Sequence, residues 1–215
     1  LQTFDEYEAL GTFRLSLIEP AVHPPALMNF VSSERRGIVV VGNSDPENID
    51  AVMSIDHLDD VVVMGEGWMD LPLEVSAVDT LPLPERATLF AGAHLLVELP
   101  ASLAHRSVVK KSVLELGLST AVYEAAVVGT PSLVQARAAV EHVLEPGKEI
   151  ITFQSTSDLG QLIPLLLADH QETNKIGEAA WSRVTADHTW AQRWRAFLEP
   201  WVDDVDTDWA KEVSY

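Results

Sequence analysis

No cysteine occurs among the 215 residues. Its absence excludes disulfides, thiolate metal sites and a cysteine nucleophile together, and it fits a reducing, cytoplasmic setting. No apolar run approaches the roughly 20 residues that cross a bilayer, so no membrane span is expected. No charged-apolar-small leader opens the chain either. The chain begins at Leu1 rather than Met, which leaves open both a piece of a longer protein and a stand-alone domain. Two phosphate-binding signatures are also missing: neither G-x-G-x-x-G nor G-x-x-x-x-G-K-[ST] is found. Dinucleotide and P-loop sites therefore lack their usual glycines. Positive charge is scarce, with 14 Lys and Arg against 33 Asp and Glu, a formal net charge of -19. So acidic a surface repels a phosphate backbone, which excludes polymeric nucleic acid as a partner. A small anion remains admissible, because a few backbone N–H groups at a helix start outweigh a distant average charge.

What remains is ordinary globular material, 47% hydrophobic and 22% charged, with length for one large domain. Residues 1–36 read as a lead-in or linker, interrupted by Pro20, Pro24 and Pro25. Residues 37–202 read as the domain, and 203–215 as an acidic tail carrying Asp203, Asp204, Asp206 and Asp208. Three continuous apolar runs, 37–42, 60–65 and 94–99, have the composition of strands buried on both faces. A short edge strand is expected over 74–78, and two further strands near 132–135 and 149–153. Between them fall helix signals: Asp45-Pro46, then 85–91, then 120–128 with Ser119 or Thr120 as cap and Gly129-Thr-Pro131 as stop. From Asp158 the chain reads as helical, with a bend expected at Pro164 and further helices over 171–186 and 190–202. Alternating strands and helices with apolar strands predict a doubly wound α/β domain on a parallel sheet. Such sheets bind ligands beyond the carboxyl ends of their strands, where the strand order reverses.

Three segments carry candidate chemistry. Gly42-Asn43-Ser44 follows the first central strand, where glycine lets backbone approach a ligand. Gly65-Glu66-Gly67-Trp68 follows the second, and Trp68 offers a face for stacking on a base or sugar. The third is Gly117-Leu-Ser-Thr-Ala-Val-Tyr123-Glu124-Ala-Ala-Val-Val-Gly129-Thr-Pro131, followed by Glu145-Pro-Gly-Lys-Glu149 and His188-Thr-Trp190. His142 and His188 have no second ligand at metal-like spacing, so no metal is expected. His188-Thr-Trp reads instead as the capped start of the last helix.

The third segment resembles the donor-binding region of GT-B glycosyltransferases, especially the group similar to the spore-maturation protein CgeB. There a stretch like G-L-N-T-R-V-F-E-A-L-A-C-G-T is followed by E-P-G-K-E and later by H-T-W. The resemblance is close over about 75 residues. It implies a Rossmann-like sheet, the C-terminal half of a GT-B fold, with C-terminal helices. It implies transfer of a sugar from a nucleotide-diphosphate sugar to an unspecified acceptor, without a cofactor. It further implies an N-terminal acceptor domain or a partner, a second copy included. By resemblance Glu124 binds the donor ribose, with Tyr123 beside it. Lys110, Lys111 and Arg137 are the candidate phosphate contacts, and Gly42, Asn43, Gly67 and Trp68 line the adjoining turns.

The chain departs from the family in three places. Ala121 stands where the family has arginine. Leu116 stands where retaining members carry a second glutamate, with Glu115 as its acidic neighbour. Gln135-Ala-Arg-Ala-Ala139 replaces a glycine-rich loop. These departures keep open a second reading, a non-catalytic binding module derived from the same fold.

Overall fold

The computed structural model describes residues 20–30, 32, 34–55, 60–71, 75–99 and 117–199. Six strands form one sheet: β1 (Ile38–Val41), β2 (Val61–Met64), β3 (Ser76–Val78), β4 (Leu95–Glu98), β5 (Ser132–Gln135) and β6 (Ile151–Phe153). Their spatial order is β3-β2-β1-β4-β5-β6, and every neighbouring pair is parallel. The chain builds outward from β1 to β3, then returns to place β4 on the other side of β1. The reversal of direction therefore falls between β1 and β4, paired from Ile38 with Leu95 to Val41 with Glu98.

The helices are α1 (Pro46–Met53), α2 (Leu83–Ala91), α3 (Thr120–Val127), α4 (Ala138–Val143), α5 (Leu159–Ala168), α6 (His170–Asp187) and α7 (Trp190–Leu198). Period-two alternation divides the strand side chains between two cores. Ile38, Val40, Leu95, Val97 and Leu133 bury against α1 and α5. Val39, Leu96 and Val134 bury against α2, α3, α4 and α6. Both faces are covered, which is why the strands need no polar alternation.

Several boundaries differ from the sequence expectation. α2 begins at Leu83 and carries Pro84 in its first turn, where a missing N–H costs no hydrogen bond; the proline opens the helix rather than breaking it. α4 was not expected, being only six residues with weak periodicity. α5 continues through Pro164, whose ring lies on the exposed side. Part of the lead-in joins the domain: Val22 and Leu27 are in the core, and Val22 bridges Thr189 at the start of α7. Arg35 donates to Gly129 O at 2.7 Å and Val128 O at 3.4 Å, a cation on the carbonyl end of α3.

Candidate functional site

The carboxyl ends of β1, β2, β4 and β5 lie on one edge of the sheet, and the candidate motifs are placed along it. The turns after β1 and β2 interlock. Gly42 and Gly65 both adopt φ of 152°, and a Cβ on Gly65 would lie 2.1 Å from Gly42 O. Only glycine permits that approach. Asn43 Oδ1 accepts from Glu66 N–H at 3.2 Å, and the Asn43 carbonyl accepts from Asn48 Nδ2 at 2.9 Å. Gly67 has φ of 83° with Ser44 packed against it. These glycines shape the edge, and Asn43 remains exposed upon it.

Trp68 corrects the expectation made for it. The ring is 1% exposed within the core that faces α1 and α5, and its indole N–H donates to Gly42 O at 2.6 Å. A ring enclosed in that way closes the loop over the core and has no face left for a base. Tyr123 is equally buried, with its ring edge toward His188 at 5.8 Å between centroids, so it packs rather than lines an open site. His188 lies against the Val143 carbonyl through Nε2 and Arg193 through Nδ1. Arginine only donates, so Nδ1 accepts and Nε2 carries the proton. Thr189 and Gln192 form the capping box of α7, as the packing reading of His188-Thr-Trp expects.

Glu124 stands one turn into α3 and is 8% exposed. Both its oxygens are held by one arginine: Arg86 Nε donates to Oε2 at 2.6 Å and Arg86 Nη2 to Oε1 at 2.7 Å. The Arg86 guanidinium is further fixed by Leu81 O at 2.9 Å. Donation of these hydrogen bonds to the Glu124 carboxylate raises the Arg86 pKa above its ordinary value. A carboxylate in a bidentate pair retains acceptor capacity on the lone pairs facing away from the guanidinium. Glu124 therefore keeps acceptor lone pairs beyond those given to Arg86, which fixes its orientation.

Arg137 follows β5 and points back toward β4. Its Nη2 donates to Glu98 Oε2 at 2.6 Å and to Gly117 O at 2.9 Å, and its Nη1 to Gln135 O at 3.1 Å. Glu98, the last residue of β4, is 7% exposed and also accepts from Ser119 N–H at 2.8 Å. Ser119 occupies the N-cap position of α3, but its hydroxyl makes no capping bond. The structure thus brings Glu98, Ser119, Arg137, Glu124 and Arg86 around the start of α3. Lys110 and Lys111, with Glu115 and Leu116, lie outside the described residues. Sequence reading missed Arg86 and Glu98. Arg86 gave no signal, lying beyond a proline pair in an ordinary helix start. Glu98 gave one: it is the single acid in the apolar run Leu95–Leu99.

Two cavities of about 520 and 580 Å³ open instead at the amino edge of the sheet, and both touch His94. His94 stacks on His170 at 4.3 Å. Burial, then the neighbouring His170 and Arg35, lowers the His94 pKa from its ordinary value, while Asp60 opposes them. The start of α3, its arginine-paired carboxylates and the reversal of strand order lie at the opposite, carboxyl edge. Among the described residues no cluster of three or more His, Asp or Glu is placed to hold a metal, and no helix is long and apolar enough to cross a membrane.

The profile of a glycosyl transferase-like family matches residues 47–199, well over half of the chain. No curated protein matches it. Among solved structures, the fold is similar to a sucrose-phosphate synthase from Thermosynechococcus elongatus, with a TM-score of 0.60 and 17% identity over 86% of this chain and 49% of that one. It is also similar to the C-terminal domain of a glycosyl transferase group 1 family protein from Francisella tularensis, with a TM-score of 0.53 and 14% identity over 80% of this chain and 96% of that one. A third likeness is to HepE from Anabaena in complex with UDP-glucose, with a TM-score of 0.57 and 14% identity over 77% of this chain and 48% of that one. The chain thus spans about half the length of the synthase and of the Anabaena protein, and nearly all of the Francisella domain. At these identities the structural likeness speaks to the fold, which is that of a GT-B C-terminal domain. On the family match and that fold together, the chain belongs to the glycosyl transferase-like family.

Proposed function

We propose that this chain is the donor-binding half of a glycosyltransferase, holding a nucleotide-diphosphate sugar at the carboxyl edge of its sheet. The observation that carries the reading is the Arg86–Glu124 pair one turn into α3, beside the reversal of strand order. A buried carboxylate costs several kcal/mol unless partnered, and here the partner orients it with acceptor capacity to spare. Glu124 is assigned to the two ribose hydroxyls, Arg86 to positioning it, and the start of α3 to the diphosphate. Asn43 and the turns of Gly42 and Gly67 form the floor beside them. Lys110 and Lys111 remain the candidate phosphate cations by sequence. Transfer itself requires an acceptor site, assigned to an N-terminal domain or a partner subunit. The narrower likeness to the CgeB-like group rests on the Gly117–Pro131 motif.

A second reading, a binding module that has lost transfer, is favoured by Arg137: its hydrogen bonds go to Glu98 and two backbone carbonyls, and Ala121 offers no replacement cation. Calorimetric titration with uridine, guanosine, adenosine and thymidine diphosphates and their sugars separates the two. The donor reading expects one base to bind selectively and Glu124→Ala to weaken it roughly 10- to 100-fold, the worth of hydrogen bonds to a charged group. Selective binding without sugar hydrolysis or transfer, even with an N-terminal acceptor domain or partner subunit supplied, supports the second reading. No binding across the panel overturns the donor reading.

A further inference from the structure

We propose that Glu98 is a built-in anion that occupies a phosphate position at the start of α3 and so sets the affinity of this edge for a diphosphate. The inference rests on the assignment of that edge to the donor, and deepens it by naming a residue of the chain that competes with the ligand.

Glu98 is an anomaly of its strand. Leu95, Leu96, Val97 and Leu99 are fully apolar and buried, and a carboxylate among them is tolerated only where donors meet it. Strand alternation sends Glu98 to the same face as Leu96, the face covered by α3. There it takes the Ser119 N–H on one oxygen and the Arg137 guanidinium on the other. A helix-start amide and an arginine are the donor pair that a phosphate group takes in such a place.

The leftover donors indicate a substitute rather than the group the site is shaped for. Arg137 Nε and Ser119 Oγ are enclosed, yet neither makes a hydrogen bond among the described residues. Glu98 brings two oxygens, and a phosphate brings three or more. If Glu98 swings away, a phosphate can satisfy the Ser119 amide, the Ser119 hydroxyl and the Arg137 Nε together. While Glu98 stays in place, its carboxylate offsets the charge of Arg137 and repels the ligand.

The test is calorimetric titration of the full chain, wild type and Glu98→Gln, with inorganic pyrophosphate and with the four nucleoside diphosphates. Glutamine keeps an acceptor for the Ser119 amide and removes the charge. The expected result is at least about tenfold tighter pyrophosphate binding in Glu98→Gln, with nucleoside diphosphates following. Equal or weaker binding to the variant overturns the inference while leaving the donor reading intact. Tightened pyrophosphate with no nucleotide bound to either protein supports the Glu98 inference and sinks the donor reading. If Glu98→Gln does not fold, wild type titrated with pyrophosphate by amide NMR decides. The Ser119 resonance is expected to move as its acceptor changes; an unmoved Ser119 signal, with or without pyrophosphate bound, overturns the inference.

Discussion

At the carboxyl edge of this sheet some side chains are wholly committed to the protein and others keep hydrogen-bonding capacity to spare. Trp68 illustrates the first kind. Its composition and its position after a strand make it a natural stacking platform, yet its ring is 1% exposed and its N–H is given to Gly42 O at 2.6 Å. Replacing it with phenylalanine leaves that carbonyl without its indole donor and opens a small cavity, a loss of about 1–3 kcal/mol. At this chain length the midpoint should fall by roughly 2–4 °C per kcal/mol. Thermal unfolding of Trp68→Phe is expected to show that fall, with affinity for any nucleotide found to bind unchanged. Lost affinity at unaltered stability would restore the stacking role. Glu124 is the second kind, since its partner holds one side of the carboxylate and leaves the other. The difference between the two residues lies in their partners, Gly42 O taking the single indole N–H and Arg86 only one side of the carboxylate, which a single sequence does not display.

At the scale of elements, the strands and their order of burial were legible because both faces of a parallel sheet demand apolar runs. The runs 37–42, 60–65 and 94–99 contain β1, β2 and β4, and the expected strand at 132–135 coincides with β5. The start of α3 was legible through Ser119 and its end through Gly129, which has φ of 74°. What stayed hidden depends on tertiary contact. α4 is too short for a periodic signal, and Arg86 meets Glu124 only because α2 and α3 lie side by side on one face. Gly177 shows the same limit with a consequence. In the middle of α6 it reads as a helix weakness, and alanine there would ordinarily stabilise by about 0.5–1 kcal/mol. The structure reverses the sign. A Cβ at Gly177 would lie 2.4 Å from Gly129 O and 3.1 Å from Pro131 Cδ. Backbone on one side and a proline ring on the other leave no flexible group to yield. Gly177→Ala is therefore expected to force α6 off the α3–β5 turn and to destabilise by about 1–3 kcal/mol, the range of overpacking. Denaturant unfolding measures it, and a gain in stability would mean that α6 is free to shift.

The whole molecule carries a formal charge of -19 on 215 residues, and at that scale repulsion opposes compactness. A folded chain of this length has a radius of gyration of about 17 Å. At 10 mM salt the screening length is about 30 Å, so nearly every pair of charges interacts; at 150 mM it is about 8 Å, and only neighbours do. Screening also weakens favourable pairs, and the two effects compete. The exposed pairs Lys148–Glu145, Lys175–Glu172 and Arg183–Asp187 are local and already solvated, so salt removes little from them. The partly buried pairs Arg86–Glu124 and Arg137–Glu98 are shielded from ions by their surroundings and keep most of their strength. The excess negative charge has no such shelter, because its repulsion is summed over long distances through solvent. Stability should therefore rise with ionic strength. Thermal unfolding between 10 and 150 mM potassium chloride at neutral pH is expected to show the midpoint climbing by several degrees and then levelling off. A midpoint that falls over that range would mean that local ion pairs outweigh the net charge, and the acidic surface would then need another explanation than solubility and exclusion of polyanions.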